Sequence, residues 1–313
     1  MLICPDCAAP LVLPGAAACP SCGRTAERIE GIPCFLSRRD RADTVIAEYL
    51  DNYDEIARDD LDSGFVDERY IDNQAKNIAA GAHLAAGEKI CDIGAGKGYL
   101  LRALLDAGAA EITAVDISLP YLRRFASEPR ILPIIANAEN LPFVEEFDTI
   151  FCTDVMEHVL NLGSFLFSLN RALKLGGVAH VRVPYLENLL SYSPHLGCRY
   201  RFVHLRSFDR RLLRRTFEEG GLAAERVRLD GFSFGTPQPF WMRPSWPSRG
   251  YALLRRFALR HLEHEMDVTR WPPWFARMFM RPTTITVTAR KYARIVPRAG
   301  GGYQVTEGSE SAP

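Results

Sequence analysis

A ten-residue stretch, Lys89–Gly98, constrains the fold more than any other part of the sequence. It begins with the apolar run Ile90–Ile93, continues into a loop with glycine at alternate positions, and leads into a helical pattern from Tyr99. Glycines let backbone N–H groups approach a ligand closely, and they adopt positive φ angles where a side chain would clash. The loop has no Gly-Lys-Ser/Thr ending, which excludes a P-loop. The stretch therefore predicts a nucleotide-binding corner of an α/β sheet.

A second short strand, Ile112–Val115, follows this corner and ends in Asp116. An acidic residue at the tip of the second strand, about 20 residues beyond the first glycine, is the position that binds ribose hydroxyls in Rossmann-like sheets. Dinucleotide sites have the spacing G-x-G-x-x-G, whereas this chain has Gly94-x-Gly96-x-Gly98, preceded by Asp92. The pattern therefore indicates a nucleoside cofactor other than a dinucleotide.

These residues resemble motif I of the class I S-adenosylmethionine (SAM) methyltransferases, and further motifs of that family follow in the same order up to residue 183. They are Asp116, Asn137–Phe143, Phe147–Ile150 with Val155–Val159, and Arg171–Gly177. The family usually has Asp where this chain has Asn137, whose carbonyl oxygen is still able to accept a hydrogen bond from the adenine amino group. The resemblance implies an α/β, Rossmann-like sheet of seven strands, mostly parallel, with the last strand antiparallel. It also implies SAM as the cofactor.

The resemblance places the cofactor site at the ends of the first four strands of this sheet. The residues that we expect to bind the cofactor are Asp92, Gly94, Ala95, Gly96, Asp116, Ile117, Asn137, Ala138, Glu139, Thr153 and Asp154.

Alternating strands and helices extend from residue 89 to residue 183, which predicts a parallel sheet with right-handed crossovers. Strands are expected near 89–93, 112–116, 133–137, 147–153 and 178–183. Helices are expected near 98–107, 119–127 and 164–174. Glu225–Leu229 fits the sixth strand. Thr284–Ala289, in which Thr alternates with Ile and Val, fits the antiparallel seventh strand.

Eight cysteines are present, and four of them form two C-x-x-C pairs near the N-terminus: Cys4 with Cys7, and Cys19 with Cys22. Two such pairs are able to supply four thiolates to a tetrahedral, structural Zn²⁺. A module this short buries little apolar surface, so metal binding would provide its folding energy. The alternatives are two disulfides, which the lack of a secretory signal disfavours, and a redox site, which would need a βαβ pattern. The segment Glu30–Leu36 also resembles the end of Trm112-like zinc ribbons.

The sequence divides into four parts. Tyr49–Ala57 resembles a segment that helps to cover the cofactor and substrate in many small-molecule methyltransferases, and a helix that packs its apolar stripe on the domain is the compatible alternative. The predicted divisions are a zinc ribbon at 1–38, a helical cover at 39–86, the methyltransferase domain at 87–292, and a disordered tail at 293–313.

A long insert at about 231–281 is rich in Trp, Phe and Pro, and its segment Tyr251–Leu262 has an apolar arc opposite arginines. Such a helix is able to lie on a membrane surface, cap the active site or pack in the core. We favour packing or capping, because any surface helix shows an apolar stripe.

The formal net charge is zero, which argues against attraction of the whole protein to nucleic acid. Acidic residues concentrate in 40–72 and arginines in 199–228 and 243–260. This asymmetry indicates docking between segments, a local anion site or, as the interpretation we favour, two solvated faces. The absence of a secretory signal and of an apolar run of membrane-spanning length predicts a cytoplasmic protein.

Methyl transfer from a sulfonium is an in-line displacement, so the protein has to position two reactants and, for a hydroxyl acceptor, to remove a proton. His158 follows the fourth strand, and His204 lies in a segment that resembles the substrate side of the family. We predict His158 and His204 as candidate catalytic bases, with His158 favoured. A capping or core role is the alternative for both, and it is the one we favour for His195. Asp154 is expected to be a hydrogen-bond acceptor near cofactor or substrate.

The predicted function is transfer of a methyl group to a hydroxyl of a small molecule such as a sugar, a lipid-linked glycan or a secondary metabolite. The segment His204–Phe208 and the aromatic insert favour this class. The alternative is an RNA base methyltransferase with the ribbon as its RNA-binding module, which the arginines of 199–228 support. A non-enzymatic scaffold is disfavoured by the intact glycine loop and its acids. The predicted partner is thus a small-molecule acceptor, with nucleic acid less favoured and peripheral membrane contact through residues 240–275 left open.

Overall fold

The computed structural model describes residues 1–11, 18–25, 27–63, 68–187, 189–231, 233–234, 280–297 and 303–307. Most of the aromatic-rich insert, and with it the interpretations of a cap, a packed segment or a membrane contact at 240–275, lies outside the described residues. Within the described part, no helix has both the length and the apolar character needed to cross a membrane.

Five parallel strands form the centre of one large sheet. They are β3 (Ile90–Ile93), β4 (Ile112–Asp116), β5 (Ile131–Ile135), β6 (Phe147–Thr153) and β7 (Leu173–Pro184). Their order is β5-β4-β3-β6-β7, so the chain reverses its winding direction at β3. Ligands of open α/β sheets bind at such a switch point, beyond the carboxyl ends of the strands. The strands have near-continuous apolar sequences because helices cover both faces of the sheet.

Seven helices accompany the sheet in the described part of the chain. They are α1 (Arg38–Ala42), α2 (Thr44–Ser63), α3 (Glu68–Ala82), α4 (Tyr99–Asp106), α5 (Leu119–Leu122), α6 (Leu162–Ala172) and α7 (Arg210–Glu219). Short 3₁₀ helices span Arg123–Phe125, Ala138–Asn140, Leu189–Tyr192 and Pro194–Leu196. Two apolar clusters separate these layers: one packs around α6 and α7, and the other around α3 and α4.

An antiparallel strand completes the methyltransferase part of the sheet. β11 (Thr284–Lys291) pairs on one side with β7 and on the other with β8 (Leu222–Asp230), both antiparallel. Ile285, Val287 and Ala289 are fully buried, which explains the alternation of the sequence. The predicted sixth strand and the predicted seventh strand, which is the inserted antiparallel one, are therefore confirmed.

The sheet has nine strands rather than the seven predicted. The extra pair is the hairpin of β1 (Glu27–Ile29) and β2 (Ile32–Cys34), which comes from the N-terminal module. β2 pairs in parallel with β5 at Cys34 and Ile135, and Phe35 N donates to Ile135 O over 2.7 Å. An edge strand presents unpaired N–H and C=O groups, and here the module satisfies some of those of β5.

Two short hairpins lie outside the large sheet. One pairs β9 (Ser233–Phe234) with β10 (Met280–Arg281), and the other pairs β12 (Ala293–Pro297) with β13 (Tyr303–Glu307). The second hairpin lies in the segment predicted to be a disordered tail. That prediction followed the composition of residues 298–313. The alternating apolar residues of β12 and β13 nevertheless allow these two strands to pair.

Candidate active site

A cavity of about 770 Å³ lies beyond the carboxyl ends of β3, β4, β5 and β6. The loops after these strands form its floor, and α2, α3 and residues 192–204 form its walls. Of the residues predicted to bind the cofactor, ten line this cavity, and the exception is Glu139. The lining members are Asp92, Gly94, Ala95, Gly96, Asp116, Ile117, Asn137, Ala138, Thr153 and Asp154.

The glycine loop packs tightly against the loop after β6. Gly94 has φ +78°, and a Cβ placed on it would lie 2.1 Å from Val155 Cγ2. Gly98 also has φ +78°, and its Cβ would lie 2.4 Å from Phe125 Cζ. A side chain at either position would therefore displace neighbouring residues as well as strain the backbone. Because these glycines have no side chains, the loop packs close to its neighbours and does not fill the cavity.

The carboxylate of Asp116 lies at the end of β4, beside the glycine loop. It accepts hydrogen bonds from Gly96 N over 3.0 Å and from Ser118 N over 2.9 Å. Burial raises the pKa of the Asp116 carboxyl to about 6, although these backbone donors oppose the rise. A carboxylate fixed in this way has remaining acceptor capacity for two vicinal hydroxyls, as the ribose assignment requires.

Asp92 lies beneath the glycine loop and is almost fully buried. Its Oδ1 atom has no hydrogen-bond partner among the described residues. Burial is the main cause that raises the pKa of Asp92 well above its usual value, and the nearby Asp116 carboxyl adds to the rise. A buried, unpaired carboxyl oxygen at the floor of a cavity is suited to accept a hydrogen bond from a ligand, directly or through water.

The loop beside the predicted adenine site is held by Asn137. Its Oδ1 atom accepts a hydrogen bond from Glu139 N over 2.9 Å, and its Nδ2 atom donates to Asp40 Oδ1 over 3.0 Å. One lone pair of the amide oxygen is therefore already used, and the second stays available for an adenine amino group. Glu139 does not line the cavity but accepts from Leu160 N over 2.7 Å, so it braces the loop.

Asp154 has an unusual backbone conformation for a residue with a side chain, with φ +55°. Its carboxylate pairs with both Arg182 Nε, over 3.2 Å, and Arg182 Nη2. Arg182 is buried in β7 and also lines the cavity. Non-glycine residues with positive φ concentrate at functional sites because the surrounding structure has to hold them there. Arg182 was missed from the sequence, although a lone arginine in an apolar strand is a signal for a buried ion pair.

The structure brings His158 and His204 together. Their ring centroids are 4.6 Å apart in an edge-to-face arrangement, and Tyr53 contacts His158 from α2. Burial, with a smaller effect of His204 and Arg206, lowers the pKa of His158 to about 3. His158 is therefore neutral at physiological pH but a weak base. A strongly basic imidazole, as the predicted role of catalytic base would favour, is therefore not what this environment provides.

Two residues that the sequence did not reveal orient His204. Glu187 pairs with His204 Nδ1, and Tyr192 stacks on the imidazole with ring centroids 4.2 Å apart. The Tyr192 hydroxyl donates to the other Glu187 oxygen. The Nε2 atom of His204 is thus turned away from Glu187. No spacing rule links Glu187 to His204, because the chain between them folds back on itself.

Arginines after the 3₁₀ helices dock on the acidic face of α2. Arg199 pairs with Glu55 and, over 3.0 Å, with Asp59, and Arg201 pairs with Glu48. For these residues the charge asymmetry includes docking between segments, one of the alternatives above, although both arginine side chains stay more than half exposed. The pairs hold residues 199–204 over the cavity, where His204 is positioned.

The four N-terminal cysteines that were predicted to bind metal converge. Their sulfur atoms all lie within 4.8 Å of one another, with Cys4 Sγ 3.7 Å from Cys22 Sγ and Cys7 Sγ 3.5 Å from Cys19 Sγ. A disulfide bond is about 2.0 Å long, so the four thiols are free. The edge of a ZnS₄ tetrahedron with Zn–S bonds of about 2.3 Å measures about 3.8 Å, which agrees with these separations.

Curated relatives named tRNA U34 carboxymethyltransferase match part of the chain. The Idiomarina loihiensis protein is 27% identical over 128 residues, which is 38% of this chain and 40% of its own length. The Pseudomonas aeruginosa protein (strain LESB58) is 34% identical over 98 residues, 29% of this chain and 30% of its own. The Campylobacter curvus protein is 28% identical over 134 residues, 41% and 45% of the two chains. The chain thus spans less than half the length of these relatives.

Among solved structures, a chain of the complex between the Haloferax volcanii Trm112 methyltransferase activator and a methyltransferase has a similar fold. The TM-score is 0.55 at 19% identity, over 78% of this chain and 97% of that chain. Fold and site together define a class I SAM-dependent methyltransferase domain. Residues 91–181 of that domain match the Methyltransf_11 family model, described as a methyltransferase domain.

Two predictions from the sequence are wrong. The relatives are named for modification of a tRNA nucleotide, which contradicts the predicted methylation of a small-molecule hydroxyl. It also contradicts a small-molecule acceptor as the partner, with nucleic acid less favoured. The His204–Phe208 segment was misleading because only its first residue, His204, lines the cavity, beside His158. This position does not depend on the size of the molecule that carries the acceptor atom.

Proposed function

We propose that this protein is a SAM-dependent methyltransferase that modifies a base of RNA, with tRNA as its substrate class. The observation that carries the proposal is the name shared by the relatives, which act on tRNA U34. The cavity supports it, because it extends from the glycine loop to the histidine pair. An enzyme that modifies a base has to take that base out of its stack and enclose it in such a pocket.

When bound, SAM supplies an electrophilic methyl group on a sulfonium. Asp116 would accept hydrogen bonds from the ribose hydroxyls, and the loop at Asn137 and Ala138 would lie against adenine. The glycine loop would approach the cofactor closely through its backbone N–H groups. Asp92, Asp154 and Thr153 would face the amino-acid part of SAM. Thr153 lies between the glycine loop and the histidines. These roles follow from the order of the residues along the cavity.

His158 and His204 would position the acceptor base at the far end of the cavity. Both line it, and they are held by edge-to-face packing with each other and by Glu187. The low pKa of His158 keeps its imidazole uncharged, so it offers hydrogen-bonding atoms without repelling the sulfonium. Positioning of two reactants accounts for much of the rate enhancement that such displacements need.

A basic helix offers a surface for the RNA backbone. Arg210, Arg211, Arg214 and Arg215 are all exposed on α7, while Leu213 and Phe217 of the same helix are buried. Phosphate attraction acts within about 10 Å at physiological salt, so a local cluster of arginines attracts RNA even when the whole chain has no net charge. The zero net charge was therefore a poor argument against nucleic acid.

The four cysteines would hold a structural Zn²⁺, since four thiolates leave no open coordination position. The module also covers the β5 edge of the sheet. The similar Haloferax structure is a complex of a methyltransferase with a separate Trm112 activator. We infer that the ribbon of this chain takes the place of such a separate subunit at the β5 edge.

The test is transfer of label from [methyl-³H]SAM to an unmodified tRNA transcript by the purified full-length chain. We expect labelled nucleoside after digestion, with a mass increase of one methyl group, because SAM is the only group donor in the assay. Charge reversal of the α7 arginines tests the RNA surface. Arg130→Glu is the control for that change, since Arg130 precedes β5 and lies far from α7. Label that appears only in a small-metabolite extract and never in RNA would refute the proposal.

A further inference from the structure

Three potential metal ligands converge at the acceptor end of the cavity. Glu157 and His158 follow β6, His204 precedes α7, and one ligand atom from each lies within 4.8 Å of the others. His158 Nε2 is 3.8 Å from Glu157 Oε1. Two imidazoles and one carboxylate form a common ligand set for divalent transition metals, in which Zn–N and Zn–O bonds are about 2.0–2.2 Å. Ligand atoms a few ångströms apart therefore surround a point that a metal ion is able to occupy.

The burial of Glu157 provides independent support for a ligand at this point. Its side chain is fully buried, and neither oxygen accepts a hydrogen bond from another described residue. His158 Nδ1 is also buried without a partner in the described part of the chain. A buried, unpaired carboxyl group is costly, and each instance in a native protein needs an explanation such as an ion. A divalent cation between Glu157 Oε1 and His158 Nε2 would satisfy the carboxylate.

His204 is prepared as a ligand by its neighbours. Glu187 pairs with Nδ1, which leaves Nε2 directed elsewhere, and Tyr192 stacks on the ring. A carboxylate behind an imidazole fixes its tautomer and increases its basicity, and this arrangement accompanies most metal-binding histidines. The pairing of His204 with Glu187 therefore suits a metal ligand better than a residue that only lines the cavity.

The two chain segments that supply the ligands are fastened to each other. Leu205 N donates to Glu157 O over 2.8 Å, and Arg206 Nη1 donates to Met156 O over 3.0 Å and to Val159 O over 2.6 Å. These bonds flank all three side chains and fix their separation. A preformed cluster binds metal without the cost of ordering the chain.

We propose that Glu157, His158 and His204 bind a divalent transition-metal ion. With three protein ligands the ion keeps at least one open position, which is the arrangement of catalytic rather than structural sites. Because His158 and His204 line the cavity, a ligand in the cavity would have access to the open position. If the proposed RNA activity holds, an oxygen or nitrogen of the acceptor base would complete the coordination. The histidines would then act as ligands, and the metal would lower the pKa of the acceptor atom.

The test uses Co²⁺ added to zinc-loaded, full-length protein, followed by equilibrium dialysis and analysis of both metals. Four thiolates hold Zn²⁺ more tightly than Co²⁺, so the cysteine cluster stays occupied by zinc. We expect one bound Co²⁺ per wild-type chain and an absorption spectrum without thiolate-to-cobalt charge transfer. Glu157→Gln and His204→Ala should weaken Co²⁺ binding at least about tenfold.

His195→Ala is the matched control, because His195 is exposed in the neighbouring 3₁₀ helix and does not line the cavity. It should bind Co²⁺ like the wild type. Glu157→Gln preserves the shape of the buried side chain, and thermal unfolding verifies that each variant is folded. No Co²⁺ beyond the zinc cluster in the wild type, or equal binding in all variants, would overturn the proposal. The measurement needs neither cofactor nor RNA, so its failure is separate from failure of the proposed RNA activity.

Discussion

The side-chain amide of Asn137 donates a hydrogen bond to Asp40 Oδ1 over 3.0 Å, and this bond joins the cofactor cavity to the N-terminal module. Asp40 is buried in the first turn of α1, where its other oxygen accepts from the backbone N and the hydroxyl of Ser37. The capping box that ends the module is therefore also the support of the predicted adenine loop.

Replacing Asp40 by Ala should weaken SAM binding several-fold and destabilise the protein by about 1–3 kcal/mol, because it leaves buried donors on Asn137 and Ser37 unpaired. Isothermal calorimetry with S-adenosylhomocysteine and thermal unfolding measure the two effects. Asp51→Ala, a matched change at an exposed position of α2, should alter neither. Unchanged affinity in Asp40→Ala would show that the hydrogen bond does not support the loop.

Replacing Cys22 by Ser should remove stoichiometric zinc, because a hydroxyl is a poor substitute for a thiolate in a four-cysteine site. Since the module supports Asn137 through Asp40, SAM affinity should fall as well. Metal analysis of protein purified without chelator gives the zinc content. Cys198→Ser, which changes a cysteine outside the cluster, is the control for zinc content only, because Cys198 lines the cavity. Full zinc content in the Cys22→Ser variant would exclude this ligand set.

Cofactor affinity should decrease as the pH falls below about 6. Only the ionised Asp116 accepts hydrogen bonds from both ribose hydroxyls, and burial raises its pKa to about 6. Calorimetric titrations between pH 5 and pH 8 test this dependence, and Asp116→Asn should bind weakly at every pH. A wild-type affinity that stays constant across this range would contradict the ribose assignment.

The same carboxyl has the opposite effect on folding. Its pKa is raised from 3.8 to about 6 in the folded protein, so the stability that it contributes is present below pH 3.8 and lost as the pH rises towards 6. The wild type should therefore lose stability between pH 4 and pH 7, whereas Asp116→Asn, which does not titrate, should lack this loss. The amide has only one acceptor oxygen for the backbone donors of Gly96 and Ser118, so the comparison rests on the pH dependence and not on the stability at one pH. Thermal unfolding of both proteins at pH 4 and pH 7 measures this dependence.

His158→Ala should lower kcat at least about tenfold while the affinity for SAM stays nearly unchanged, because the role proposed for His158 is to position the acceptor and not to bind the ribose. Its pKa of about 3 means that its own protonation should not reduce the activity of the wild type above pH 5. Single-turnover rates over that range measure both effects. A wild-type rate in His158→Ala would remove the residue from the acceptor site.

Charge reversal of Arg211 and Arg214 should weaken tRNA binding and reduce the slope of log K against log salt by about 1 for each RNA phosphate that the variant no longer neutralises. Both side chains are exposed on α7, so the fold should tolerate the change. Filter binding at several salt concentrations gives the slope, with Arg130→Glu as the control. An equal effect of the control would show that α7 has no special role.

The sequence predicted the parts of the fold that depend on local pattern. The glycine corner, the five parallel strands and the antiparallel Thr284–Lys291 strand have periodicities that are visible in the sequence itself. The pairing of Cys34 with Ile135 was not predictable, because it links segments about 100 residues apart through a single edge contact. Three-residue strands also have too few residues to show a period.

The candidate site was predictable on the cofactor side and less so on the acceptor side. Asp92, Gly94 and Asp116 belong to one contiguous motif, and the structure places them around one cavity. Glu187 and Arg182 were missed, since their importance arises from contacts with His204 and Asp154 that only the folded chain creates. Glu157 is adjacent to His158 in the sequence, but its complete burial arises from packing and is not visible in the sequence.

The docking of β2 on β5 has a consequence for the solubility of the chain. A long exposed strand edge is a template for aggregation, and very short edge strands are one way in which proteins prevent it. Here β1 and β2, of three residues each, stand outside the five-residue β5. A chain in which the module has come apart would present the bare edge of β5 to other copies. We therefore expect such a chain to accumulate as insoluble protein in cells, and not merely as an enzyme with weak cofactor binding.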